Sequence, residues 1–185
     1  LASFTCTPAS GSTFPVGSTQ VTCTATDIAD NTATATFTVT VTPQAIPTPP
    51  PASDCVGTGS MNTRITGTPD PDTLIGTNGL NSISGLEGND RINGCAGSDR
   101  IHGNADNDGI AGGPDNDDLN GDAGNDLIQG DSGNDRLSGG DGINTLTGDP
   151  GRDSFFCSPN SETTVTDFEP GIDRISGPCI LAPNT

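Results

Sequence analysis

GLEGNDRIN at residues 85–93 and GDAGNDLIQ at residues 121–129 are two spellings of one nine-residue unit. Outward from them, glycine returns every nine residues: Gly67, Gly76, Gly85, Gly94, Gly103, Gly112, Gly121, Gly130, Gly139 and Gly148. Five residues after each glycine stands Asp72, Asn81, Asp90, Asp99, Asp108, Asp117, Asp126, Asp135, Asn144 or Asp153. Two residues further on comes Leu74, Ile83, Ile92, Ile101, Ile110, Leu119, Ile128, Leu137, Leu146 or Phe155. Ten tandem copies in unbroken register make a repeat solenoid.

Within each unit the first six residues read as a turn, because glycine is costly in strand and helix interiors and permissive in turns. The last three read as a short strand whose middle residue points to one side and whose neighbours point to the other. One apolar residue per strand suffices only if strands stack and share a core. Two units then make one coil of turn, strand, turn, strand. One sheet carries Leu74, Ile92, Ile110, Ile128 and Leu146, and the facing sheet carries Ile83, Ile101, Leu119, Leu137 and Phe155. Five such coils predict a roll roughly 24 Å long at the usual strand spacing.

Such a core is thin. Ten apolar side chains do not offset the chain entropy of a glycine-rich tract this long, at about 1–2 kcal/mol per residue. The turns show what else contributes, since stacking places one carboxylate above the next. Residues 67–156 hold 17 acidic residues against four arginines, a net charge of −13, and the whole chain carries −18 with no lysine. A cation between successive carboxylates satisfies both, and its binding is coupled to folding. Calcium suits this arrangement because it takes six to eight hard oxygen ligands in adaptable geometry. About six to eight such ions would bring roughly +12 to +16 and nearly cancel the charge. A merely solvated or disordered acidic tract does not explain one period shared by Gly, Asp and Ile.

The unit G-G-x-G-x-D-x-U-x, with U a large apolar residue, resembles the hemolysin-type (RTX) calcium β-roll. The resemblance implies one ion between each turn and the turn one coil later. The first turn gives carbonyls from positions two and four and its Asp; the second gives carbonyls from positions one and three and its Asp. In one file of turns this pairs Asp72 with Asp90 through the carbonyls of Thr68, Asp70, Gly85 and Glu87. It pairs Asp90 with Asp108 through those of Leu86, Gly88, Gly103 and Ala105, and Asp108 with Asp126 through those of Asn104, Asp106, Gly121 and Ala123. Asp122 and Gly124 carry the next slot towards Asn144. In the other file Asp99 pairs with Asp117 through Cys95, Gly97, Gly112 and Pro114. Asp117 pairs with Asp135 through Gly113, Asp115, Gly130 and Ser132, and Asp135 with Asp153 through Asp131, Gly133, Gly148 and Pro150. The slots that include Asn81 and Asn144 each lose one charge. At position four, Asp70, Asp106 and Asp115 replace glycine, and Asp tolerates the left-handed backbone that the turn needs.

The flanks differ in composition. Residues 11–41, GSTFPVGSTQVTCTATDIADNTATATFTVTV, alternate strictly, with Val21, Cys23 and Ala25 on one side and Ala35, Phe37, Val39 and Val41 following suit. Their FPVG turn, VTCTATD strand and final FTVTV strand resemble the C-terminal half of a hyalin repeat (HYR), an immunoglobulin-like β-sandwich of extracellular and adhesive proteins. A full sandwich needs about seven strands, so residues 1–41 supply part of one. Leu1 is then expected to be a cut inside a longer chain, with strands lent by another molecule as the other option. Residues 42–53, TPQAIPTPPPAS, read as an extended spacer, and residues 54–66 as the N-terminal cap of the roll at 67–156. Residues 157–185 form the C-terminal cap. There TTVTDFEPGIDRI resembles the strand pair that closes many calcium β-rolls, with Val165, Phe168, Ile172 and Ile175 as its apolar residues. The fold class is therefore all-β: a parallel roll plus a partial immunoglobulin-like sandwich.

Six cysteines point to an oxidising, extracytoplasmic compartment, and so to a secreted or cell-surface protein. Of the possible pairings, proximity favours Cys6–Cys23 and Cys157–Cys179, which leaves Cys55–Cys95. Many RTX proteins use a one-step exporter and are nearly free of cysteine, so a signal-peptide route fits this chain better. No apolar run is long enough for a transmembrane helix. Catalytic signatures are missing: no G-x-S-x-G, H-E-x-x-H or phosphate loop occurs, and His102, the one histidine, falls at an outward strand position. The acidity excludes ordinary nucleic-acid binding. The expected function is calcium-dependent structure or adhesion without catalysis, with other copies of itself or cell-surface and matrix proteins as partners. The alternatives are the non-catalytic tail of a secreted enzyme, or a filament subunit completed by a neighbour's strands.

Overall fold

The computed structural model describes residues 1–55 and 62–183. Residues 56–61, inside the predicted N-terminal cap, lie outside the described residues. The chain divides into two compact units, Leu1–Gln44 and Ala45–Thr185.

The first unit is a three-stranded antiparallel sheet in the order β1-β2-β3, made of β1 (Ser3–Thr7), β2 (Gly17–Thr26) and β3 (Thr32–Val41). Alternating Thr and apolar residues give its two sides their different character. Val21 lies opposite Phe37, and Cys23 lies between Cys6 and Ala35. The Cys6–Cys23 disulfide therefore joins directly opposed residues. Between β2 and β3 the Asp27 carboxylate accepts the backbone N–H groups of Ala29 and Asn31, at 2.7 and 3.0 Å, and fixes the turn. Val21 is buried, but Phe4 and Phe37 remain 62% and 54% exposed. This sheet fits a partial immunoglobulin-like domain.

The second unit is a parallel β-solenoid. Its strands are β4 (Thr63–Thr66), β5 (Thr73–Ile75), β6 (Asn81–Leu86), β7 (Arg91–Asn93), β8 (Arg100–Ala105), β9 (Gly109–Ala111) and β10 (Asp118–Ala123). They continue with β11 (Leu127–Gln129), β12 (Arg136–Ser138), β13 (Ile143–Thr147), β14 (Ser154–Phe156), β15 (Glu162–Val165), β16 (Arg174–Ser176) and β17 (Ile180–Leu181). Alternate strands fall into two seven-stranded sheets, β4 to β16 and β5 to β17. Within the repeats each residue pairs with its equivalent one coil on, so Ile83, Ile101, Leu119, Leu137 and Phe155 stack in one sheet. Ile92, Ile110, Ile128 and Leu146 stack in the other. All nine are essentially inaccessible, and Leu74, on the end strand β5, is partly buried.

The ladder runs past both ends of the nonapeptide block, giving about seven coils where five were expected, and a roll roughly 34 Å long at the usual strand spacing. Ile65 packs on the core from β4, while Val165 and Ile175 extend it from β15 and β16. The C-terminal segment thus does not close the end as a separate strand pair. It satisfies the open edge by adding parallel strands to both sheets. Phe168 packs against the core, whereas Ile172, expected in the cap interior, is 44% exposed. It sits in the tight turn before Asp173, where its backbone N–H is bonded to Glu169 O. The Cys157–Cys179 disulfide fastens this segment.

The proline-rich stretch, read as an extended spacer, has its later residues docked on the roll. Arg91 Nε donates to Thr48 O and Asn93 Nδ2 to Pro50 O, both at 2.8 Å, and Pro50 is buried. Proline lacks an N–H but keeps its carbonyl, so a Pro-rich strap can dock by accepting hydrogen bonds. The Cys55–Cys95 disulfide ties the strap to the turn that follows β7.

Candidate metal centre

Each turn brings oxygen atoms to its inside. The first glycine is needed for space: a Cβ at Gly85 would collide with Asp90 Oδ2 and the Gly103 carbonyl of the next coil. That space is filled by two oxygens facing each other. Position two is left-handed at several residues other than glycine, as at Leu86 (φ 86°), Cys95 (φ 74°) and Asn104 (φ 79°), but not at Thr68 or Thr77. Position four is left-handed at Asp106 (φ 74°) and Asp115 (φ 86°), so Asp stands in for glycine there at tolerable cost; Asp70, expected to do the same, is not left-handed, and it precedes Pro71, which favours extended backbone.

The position-six carboxylates form two files. The backbone N–H of Asp72 donates to Asp90 Oδ1, that of Asp90 to Asp108 and that of Asp108 to Asp126, at 2.8–2.9 Å. In the second file Asp99 donates to Asp117, Asp117 to Asp135 and Asp135 to Asp153, at 2.7–2.8 Å. Oδ1 of each carboxylate is thereby used. Oδ2 of Asp90, Asp99, Asp108, Asp117, Asp126, Asp135 and Asp153 is buried with no hydrogen-bond partner. These seven residues are at most 3% exposed. A buried carboxylate oxygen left unpaired is expensive.

Two things relieve that cost: a proton or a cation. Burial, chiefly, pushes the Asp108 and Asp117 carboxyls up to about 8, and those of Asp126 and Asp135 up to about 7. It raises Asp99 and Asp153 to about 6. Hydrogen bonds from the preceding backbone oppose the shift, and like charges along the file add to it, as Asp135 and Asp99 do for Asp117.

Asn81 marks the centre of a slot. Its Nδ2 lies within hydrogen-bond reach of Thr77 O (3.0 Å), Gly79 O (2.5 Å), Gly94 O (3.2 Å) and Asp99 Oδ1 (2.8 Å). Those are carbonyls two and four of one turn, with carbonyl one and the carboxylate of the next. The carbonyls of Thr77, Gly79 and Gly94 were not singled out from the sequence, because Asn81 breaks the Asp pattern. Asn144 behaves differently: its Oδ1 accepts the Asp126 N–H at 2.8 Å, and Asp126 Oδ2 stays unpartnered. At the start of the first file, Asp72 Oδ2 is already taken by the Thr68 N–H at 2.6 Å.

Each slot therefore holds two position-six side chains, with backbone carbonyls as the other oxygens. No group of three or more His, Cys, Asp or Glu side chains poised around one metal occurs among the described residues. A carbonyl-rich, sulfur-free and nitrogen-free donor set fits a hard cation of calcium size better than zinc. The cysteines of the described residues are all in disulfides.

Residues 66–97, 96–128 and 129–156 match the RTX calcium-binding nonapeptide repeat, and residues 2–41 match the HYR domain. The roll is an RTX calcium-binding repeat array. No curated protein and no solved structure matches the chain. The RTX array accounts for the glycine, aspartate and apolar registers together. It leaves His102 outside the slots. That side chain, expected to face solvent, is 38% exposed and bonded through Nδ1 to Asp122 Oδ2 at 2.9 Å. Arg100 and Arg136 bracket Asp118 on the same outer surface at 3.4 and 3.5 Å. No helix of the described residues is long and apolar enough to cross a membrane.

Proposed function

We propose that this chain is a secreted or cell-surface structural protein, without catalysis, whose roll completes its folding when calcium fills the two files of slots. The observation that carries this is the row of seven buried, unpartnered carboxylate oxygens. Position-six carboxylates and turn carbonyls would hold the ions, about six to eight in all. Bound calcium supplies two positive charges and a tolerant oxygen shell. The chain's own part is to place the oxygens. Glycine at position one clears the space, left-handed residues at positions two and four of most units shape the turn, and the preceding backbone N–H fixes each Oδ1.

Three disulfides and the HYR and RTX modules suit an oxidising extracellular setting. Adhesion or assembly is the role suggested by the N-terminal sheet. Phe4, Cys23, Ala25, Ala35 and Phe37 line an apolar hollow with no covering strands in its own unit.

Circular dichroism of the full chain during a calcium titration from chelator tests the proposal. β-structure is expected to grow with calcium, and magnesium to substitute poorly because it demands tighter octahedral geometry. A spectrum that is the same in chelator and in millimolar calcium overturns it.

A further inference from the structure

The second file of turns does not stop at Asp153. We infer an unassigned divalent-cation slot between Asp153 and Asp173, beyond the residues that match the repeat. FEPGIDRIS at 168–176 keeps the unit's later positions: Gly171 at four, Asp173 at six and Ile175 at eight. Gly171 has φ 89°, beside 99° and 107° at Gly88 and Gly97. Phe155 pairs with Ile175, which sets the coil register despite a longer connection. The Asp153 N–H donates to Asp173 Oδ1 at 2.9 Å, as the Asp135 N–H does to Asp153 at 2.8 Å. Asp173 Oδ2 accepts the Glu169 N–H at 2.8 Å, as Asp72 Oδ2 accepts the Thr68 N–H at the far end of the other file, so a cation here would draw on the remaining lone pairs of a fixed carboxylate. The sign of a ligand is Asp153, 1% exposed with Oδ2 unpartnered, an oxygen that the slot with Asp135 shares as mid-file carboxylates are shared between neighbouring slots. Position one is Phe168 instead of glycine. Inside the array a Cβ there meets a carbonyl of the following coil, and no further coil follows this turn among the described residues.

The slot takes calcium only if the files do, as proposed above. Native mass spectrometry of the full chain at saturating calcium counts the ions. Asp173→Asn is expected to lose one ion relative to the unsubstituted chain, and Asp118→Asn none, because Asp118 lies on the outer surface between Arg100 and Arg136. An unchanged count for Asp173→Asn overturns the slot while leaving the other sites standing; a chain that binds no calcium at all overturns the calcium proposal itself. Should the variant not fold, a crystal structure of the unsubstituted chain in calcium decides: an ion between Asp153 and Asp173 supports the slot, and its absence there refutes it.

A separate observation concerns the start of the same file. We infer that the Asn81 carboxamide takes the cation's place, so that its slot closes without metal. Nδ2 has four oxygen neighbours at 2.5–3.2 Å, all acceptors. Reversing the amide would set Oδ1 against those four oxygens with no proton between them. Thr77 holds the correct orientation, its N–H and Oγ1 lying 3.2 and 3.1 Å from Asn81 Oδ1. Asn144 has Gly140 at the corresponding position and no hydroxyl to do this. Asn81→Asp is expected to gain one ion in the same count, since it restores a carboxylate and removes the amide. No gain, or an ion between Asn81 and Asp99 in the unsubstituted crystal, overturns the substitution of amide for metal.

Discussion

Asp117 and Asp72 are the same residue at the same repeat position, and they differ only in neighbours. Asp117 is 3% exposed, accepts the Asp99 N–H and leaves Oδ2 free between two slots. Asp72 opens its file and has Oδ2 bonded to Thr68. Asp117→Ala should therefore cost about two ions and Asp72→Ala about one. Asp117→Ala also strands the Asp99 N–H in the interior, at roughly 1–3 kcal/mol. Isothermal calorimetry of both variants measures this, and equal losses would show that carboxylates are not shared between slots. His102→Ala removes only the outer contact to Asp122, so the ion count should hold and stability should change by about 0.5 kcal/mol or less. The sequence made these aspartates legible because stacking forces one chemical role onto every ninth residue. It did not separate Asn81 from Asn144, since that difference depends on whether a Thr or a Gly at position two orients the amide.

A turn and its strand form the element that calcium would lock, and its metal-free state should respond to pH. The buried carboxyls have folded values raised to about 6 to 8, against an ordinary 3.8. In the unfolded chain they ionise near the ordinary value; in the roll without metal they resist ionisation. Stability of the metal-free roll is thus present below about pH 4 and lost progressively as pH rises to about 8. In chelator, circular dichroism should show more β-structure at pH 5 than at pH 8. In calcium the order should reverse, because protons compete for the same Oδ2 atoms. The same slope with and without calcium would mean that these oxygens are not where the cation binds. The alternation of turn and strand was readable from the nine-residue period. The docking of the Thr48 and Pro50 carbonyls was not, because composition reports that proline resists regular structure and not where its carbonyl goes. Nor did the cap motif reveal that β15, β16 and β17 prolong the existing sheets, since parallel register is set by partners remote in sequence.

At the scale of the molecule each unit is held by its own means. The roll relies on stacked apolar residues and carboxylate files. The first unit has an antiparallel ladder, one cross-strand disulfide and no part in those files. Its three strands were legible from strict alternation, and so was the shortfall against the seven strands of a complete sandwich. What covers the exposed Phe4 and Phe37 is not written in residues 1–41, because a β-sandwich face is completed by strands distant in sequence or in another chain. An isolated three-stranded sheet with a bare apolar face tends to pair. The full chain is therefore expected to self-associate through this sheet with rising concentration, in calcium and in chelator alike. Light scattering after size exclusion measures it. Phe37→Ser should reduce association several-fold and leave the calcium midpoint of the roll unchanged, since Phe37 belongs to the first unit and the slots to the second. A chain that stays monomeric at every concentration would show that this face needs no cover. Association that vanishes on adding chelator would place the contact on the roll.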